Sequence, residues 1–158
     1  MKRPVYLIGC GKTKLGSPTF ARDLYIGQLF RKSMALVDQL VRENDGHVFI
    51  LSAKHGLLDP EAVVSPYNLA LTDLTSTQRR NWGIEVVDTL AAWLRVDDDP
   101  GLSGREYAVL AGRPYVEAVE FGMIEALSYV PPSFQVPMHG KGIGSRLAWL
   151  NERISATA

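Results

Sequence analysis

One cysteine and three histidines are the whole supply of soft metal-ligating side chains in this 158-residue chain. A single Cys10 excludes an internal disulfide framework and any cysteine-cluster metal site. His47, His55 and His139 match no ligand spacing, so neither a metal nor a cofactor is expected. Charge of one sign is missing too. The 17 Lys and Arg balance 17 Asp and Glu, which argues against tight nonspecific binding to duplex DNA, where phosphate neutralisation supplies most of the affinity. A local basic site, and with it a nucleic-acid partner, stays open. No apolar run approaches the roughly 20 residues that cross a bilayer, and no small-residue cleavage site follows the basic start Met1-Lys2-Arg3-Pro4. The expectation is a cytoplasmic protein with no membrane partner. Repeats, linkers and low-complexity tracts are also absent, so residues 1–158 read as one domain, long enough for a single buried core. A content of 46% hydrophobic and 22% charged residues makes it globular rather than disordered.

What is present alternates. Residues 4–9 form a short apolar run closed by glycine, a buried strand. Ile26 to Val41 repeats apolar residues at three and four (Ile26, Leu29, Phe30, Met34, Val37, Leu40, Val41), an amphipathic helix ended by Asn44-Asp45-Gly46. His47 to Ala53 is a second continuous apolar strand, as in parallel sheets covered on both faces. The stretch from Lys54 to Leu74 reads as a long loop; loops of that length are usually functional or disordered, and the apolar content here favours function. Thr75 to Gln78 offers a capping box for a helix carrying Trp82, Val86, Val87, Leu90, Trp93 and Leu94 on its apolar face. Asp97-Asp98-Asp99-Pro100-Gly101 reads as a solvated turn rather than a divalent-ion site. Glu106 to Ala111 is a third strand, followed by a helix with Val116, Val119, Met123 and Leu127 in register. A short fourth strand falls near 134–136, and a last helix carries Ile143, Leu147, Leu150 and Ile154. This order predicts an α/β fold of three layers, a mostly parallel sheet of about four strands with helices on both faces.

Gly11-Lys12-Thr13 looks like the end of a phosphate-binding P-loop, and two features reject it. The glycine required five positions earlier is Tyr6, and Gly16-Ser17-Pro18 breaks the helix that should follow. The segment is instead a strand-end turn. In open parallel sheets ligands bind beyond the carboxyl ends of the strands, and four segments fall there: Cys10 to Lys14, Ser52 to Gly56, Ala111 to Tyr115, and Met138 to Gly144.

Each carries candidates, and each candidate has a plainer alternative. Cys10 is a nucleophile favoured by Lys12 and Lys14, or a buried packing residue; as a low-pKa thiol it would also serve as a redox sensor. His55 is a general acid or base and Lys54 an anion ligand beside Ser52, or the two are an exposed basic pair. Asp23 is a catalytic carboxylate or the cap of the first helix, with Tyr25 reaching the same edge. Tyr67 and Asn68 offer a stacking face and an amide for a planar base, or a rigid turn. Gly112 and Tyr115 follow the third strand. Lys141, Gly142 and Gly144 open the last helix where free N–H groups favour an anion, or make a flexible turn.

Taken together, Leu7-Ile8-Gly9-Cys10 with Lys12 and Lys14, Ala21-Arg22-Asp23-Leu24-Tyr25 with Phe30, Ile50 to Leu58, Pro66-Tyr67-Asn68 and the closing Gly140 to Leu147 resemble an uncharacterised α/β domain of bacteria and their phages. The resemblance runs from about residue 5 to 150, and Ser52 to Leu58 is its most specific block. The family is loosely similar to deoxyribosyltransferase-like and uracil-glycosylase-like folds, which implies nucleobase handling at N-glycosidic bonds. Two expectations follow: an enzyme acting on a nucleotide, nucleoside or nucleobase ligand, or a noncatalytic nucleotide-binding or partner-docking module.

Overall fold

The computed structural model describes residues 2–157, with side chains through residue 154. Its centre is strand β1 (Val5–Gly9), flanked by parallel strands on both sides: β3 (His47–Ser52) and β6 (Tyr107–Leu110). A short parallel strand β7 (Phe134–Gln135) pairs outside β6, and β4 (Gly56–Leu58) pairs antiparallel outside β3. The sheet order is thus β4-β3-β1-β6-β7, four parallel strands as expected plus one antiparallel edge. That edge and a two-stranded ribbon of β2 (Thr19–Phe20) and β5 (Val63–Val64) place structure inside the stretch read as a long loop.

Period-two alternation along β1 explains the layers. Val5 and Leu7 enter one core, with Phe49, Leu51, Tyr107 and Val109, beneath helices α3 (Ser76–Leu94) and α4 (Arg113–Leu127). Tyr6 and Ile8 enter the other, with Ile50 and Leu110, beneath α2 (Gln28–Asn44) and α5 (Ile143–Thr157). Burial on both faces is why these strands read as unbroken apolar runs. Helix α2 carries the chain from β1 to β3 on one face. Helix α3 returns it past β1 to β6 on the other, as right-handed crossovers require.

Boundaries differ from the periodicity in three places. The first helix is split: Ala21–Leu24 forms a four-residue α1, Tyr25 is extended, and α2 starts after Gly27. Asp23 therefore lies within α1 and does not cap α2, whose N-cap Gly27 has no side-chain cap. Ile143, assigned to the buried face of α5, is 70% exposed, whereas Leu150 is fully buried.

The third difference is Asp97. It is no solvated turn residue: its carboxylate is buried and accepts from His47 Nε2 at 3.1 Å, Arg105 at 3.0 Å and Arg3 at 3.2 Å. Arg105, fully buried, also donates to the carbonyls of Arg3 and Gly101. These bonds clamp the amino-terminal edge of the sheet. Hydrogen bonding from His47, reinforced by Arg105 and Arg3, holds the Asp97 carboxyl far below the usual carboxylate range despite its desolvation.

Helices α3 and α4 meet backbone to backbone. A Cβ on Gly83 would run into the Ala118 carbonyl, and one on Gly122 into the Gly83 carbonyl and Val87. Neither glycine is needed for its torsion angles; both are there for the crossing.

Two outcomes follow from this packing. Gly122→Ala should cost about 3 kcal/mol in urea unfolding, while Gly16→Ala, where a Cβ meets nothing within 4 Å, should change stability by less than about 0.5 kcal/mol. Asp97→Asn should cost on the order of 2 kcal/mol. Because the folded pKa of Asp97 is depressed, its contribution is complete above the unfolded value of about 3.9 and disappears as pH falls below it. An acid unfolding midpoint unchanged by Asp97→Asn would contradict this role.

Candidate functional site

At the carboxyl end of the sheet the chain parts in two directions. The loop after β1 leads to α2 on one face, and the loop after β6 leads to α4 on the other, which makes the β1–β6 boundary the topological switch point. Here Gly9 lies so close to Ala111 that an added Cβ would come within 2.9 Å of its side chain. A crevice of about 70 Å³ opens beyond it, lined by Gly9, Cys10, Gly11, Gly112, Tyr115 and Arg146 among others. On one side it adjoins a cleft of about 510 Å³ lined by Cys10, Lys12, Lys14, Asn68, Asp73 and Tyr115. On the other it adjoins one of about 590 Å³ containing Arg113, Glu117, Glu120, His139, Lys141 and Arg146.

The β1 loop is held open rather than wrapped into a nest. Cys10 N–H extends the sheet ladder to the Leu51 carbonyl at 3.0 Å, and the loop then folds onto Tyr25 through Leu15 N–H to Leu24 O and Ile26 N–H to Thr13 O. Lys14 is thereby placed with its Nζ 4.6 Å from the Tyr67 ring centroid and 5.7 Å from that of Tyr25, a cation–π geometry. Lys12 stays exposed in the cleft.

Behind this loop runs a line of hydroxyls. Tyr67 Oη lies 2.6 Å from Tyr25 Oη and 2.7 Å from Ser52 Oγ, which in turn accepts the His55 N–H at 3.1 Å. Ser52 ends β3, and its carbonyl accepts the Trp82 indole N–H at 2.9 Å. Trp82 packs edge-on against Tyr115, whose hydroxyl touches Cys10 Sγ at 3.4 Å. Burial is the first cause that raises the pKa of Tyr25, Tyr67 and Tyr115 above the ordinary phenol value, and proximity to Cys10 adds to it in each. All three phenols are neutral hydrogen-bonding groups at neutral pH. Desolvation, then Lys54, lowers the His55 pKa, so the ring is a neutral acceptor there.

The strand-end residues converge to different degrees. Cys10, Lys12, Lys14, Asn68 and Tyr115 line one cleft, Gly112 lines the crevice and Lys141 the far cleft. Ser52, Tyr67 and Tyr25 stand in the layer behind; Tyr25 is fully buried, and one face of Tyr67 is occupied by Lys14, so a base stacks there only if Lys14 moves. Lys54 and His55 are exposed in the β3–β4 turn, with the His55 ring edge-on to Tyr67 at 5.3 Å. Gly142 and Gly144 face open space, and Asp23 is exposed on α1 and lines none of the three clefts. Three side chains escaped the sequence reading. Asp73, in a 3-10 turn (Leu71–Asp73), puts a carboxylate in the 510 Å³ cleft and accepts the Ala70 N–H at 2.9 Å. Arg146 reaches the crevice from the first turn of α5, and Trp82 joins Ser52 to Tyr115. Only Arg146 left a trace, three residues after Ile143 within the closing glycine-rich motif.

No group of three or more His, Cys, Asp or Glu able to hold a metal exists among the described residues, and no helix among them is long and apolar enough to cross a membrane. The chemistry on offer is anion binding by Lys12 and Lys14, a carboxylate, a thiol and neutral phenol donors.

Parallel strands wound in two directions, with a cation-lined groove at the point where they part, define a doubly wound α/β protein. Within that class the chain belongs to the DUF6884 family, a family of unknown function, whose model matches residues 5–152. No curated protein and no solved structure matches the chain.

The hydroxyl line makes two outcomes measurable. Tyr67→Phe strands the buried Tyr25 hydroxyl and should cost about 1–2 kcal/mol in denaturant unfolding. In an alkaline titration followed by phenolate absorbance, Tyr25, Tyr67 and Tyr115 should stay protonated through about pH 10. Because their folded pKa values are raised, stability should fall as pH rises above that value; full ionisation of all phenols without unfolding would contradict the geometry.

Proposed function

We propose that this protein is an enzyme that processes a nucleotide, nucleoside or nucleobase, acting at the N-glycosidic bond. The observation that supports this best is the make-up of the 510 Å³ cleft, where Lys12 and Lys14, the amide of Asn68 and the carboxylate of Asp73 share one space with the Cys10–Tyr115 pair. Breaking a glycosidic bond builds positive charge on the sugar, which a carboxylate stabilises or attacks. The departing base gains from a donor, and the neutral Tyr115 phenol is one. Lys12 and Lys14 are suited to a phosphate. Asp73, inside the cleft, takes the role that the sequence offered to Asp23, while Lys54 and His55 line none of the three clefts.

A noncatalytic nucleotide-binding or docking module is the second reading, favoured by one observation: the hydroxyls of Tyr25, Tyr67 and Ser52 satisfy one another, with no carboxylate or imidazole nitrogen bonded to any of them.

Incubation with nucleotides, nucleosides, single-stranded DNA and tRNA, followed by mass spectrometry, should reveal free base. Asp73→Asn should lower its rate of release by about 100-fold or more at unchanged melting temperature, and Lys12→Ala should mainly raise KM. Wild-type turnover in Asp73→Asn removes the carboxylate from the mechanism, and a ligand bound but recovered intact selects the binding module.

A further inference from the structure

The three clefts share walls in series, with the 70 Å³ crevice as the waist between the two larger ones. Cys10, Gly11 and Tyr115 border both the 510 Å³ cleft and the 70 Å³ crevice, while Ala111, Met138 and Arg146 border both the crevice and the 590 Å³ cleft. Each outer cleft alone is within the range of about 300–1,000 Å³ that holds one small ligand. The waist, at about 70 Å³, is far below the range of about 300–1,000 Å³ that holds a small ligand. We propose that the groove takes two nucleoside units joined through phosphate, with the linkage seated at the waist against Arg146; this rests on the nucleotide reading above.

The waist is built for such a linkage. Its walls include Gly11 and Gly112, where an added Cβ would meet nothing closer than 3.8 Å, so a ligand chain can approach main-chain atoms there. Gly112 is the N-cap of α4 and makes no side-chain cap, so the positive end of the helix dipole lies against it. Arg146 Nε donates to the Lys141 carbonyl at 2.9 Å. That bond fixes the guanidinium plane and leaves both terminal amino groups for an anion, the fork geometry that suits phosphate. Of the two outer clefts, the far one is the less suited to the linkage. It carries Glu117 and Glu120, which repel phosphate and accept from sugar hydroxyls or base amino groups, and its Arg113 is already paired with Glu117. A linkage at the waist puts one nucleoside beside Asp73 and the other beside those carboxylates. The linkage is a phosphodiester within a single strand or a pyrophosphate in a free dinucleotide, and the waist chemistry is the same for both.

Binding to the full-length protein distinguishes them. Titration calorimetry at fixed salt would compare a nucleoside 5′-monophosphate, the 5′-phosphorylated phosphodiester dinucleotide and the pyrophosphate-linked dinucleotide, in adenine, guanine, cytosine and uracil series. At least one two-unit ligand should bind about tenfold or more tighter than its monophosphate, and whichever linkage shows the gain identifies the source. In Arg146→Gln that ratio should fall to within about twofold, with Arg146→Lys intermediate and the melting temperature checked for each variant. Equal affinities for one-unit and two-unit ligands in every series, or a ratio untouched by Arg146→Gln, would overturn the two-unit groove while leaving the nucleotide reading in place. Absence of binding by all of these ligands would overturn both.

Discussion

The contact between Gly9 and Ala111 is the constraint on which the rest depends. Strand β1 sits at the middle of the sheet with parallel neighbours on both sides, so its last residue must fit against the end of β6 before either chain can turn away. Only a residue without a Cβ fits there. The two loops then diverge to opposite faces, and their divergence leaves the crevice that Cys10, Gly112 and Tyr115 surround. A side chain at position 9 would push the two strand ends apart.

The two edges of the sheet solve the problem of buried polar groups in opposite ways. At the amino-terminal edge charge is concentrated: Asp97, Arg105, His47 and Arg3 bond to one another, and the cost of desolvation is offset by hydrogen bonds on every side. At the carboxyl-terminal edge the buried groups are neutral, a line of hydroxyls whose protons are held by burial. Fixed charge suits a clamp. Neutral hydroxyls leave the charge at this edge to exposed side chains such as Lys12 and Lys54.

Most of the architecture was legible because it rests on period and punctuation. The unbroken apolarity of residues 5–9, 47–52 and 107–110 marks strands covered on both faces, and the capping box at Thr75 is formed as expected. Strand ends then locate Cys10, Lys12, Gly112 and Tyr115 without reference to distance. What stayed hidden depends on reach across the fold. Asp97 looks like one of three solvated aspartates until Arg105, just before β6, and His47, at the start of β3, are brought to it. Asp73 enters its cleft from a 3-10 turn that no periodicity announces, and the short antiparallel β4 is visible only once β3 offers an edge. Gly83 and Gly122 look like weak points in helices, because the helix they touch is distant in the chain.

Those two glycines lock α3 and α4 together along their backbones. Trp82 is carried by the first of these helices and Tyr115 by the second, so the two aromatic rings travel as one body and that bank of the groove is stiff. The opposite bank hangs from α5, which is joined to α2 by side chains such as Lys32 on Asn151. The Tyr115 bank is therefore set by backbone contact and the Arg146 bank by side-chain packing, so the two sides of the crevice are held by different means.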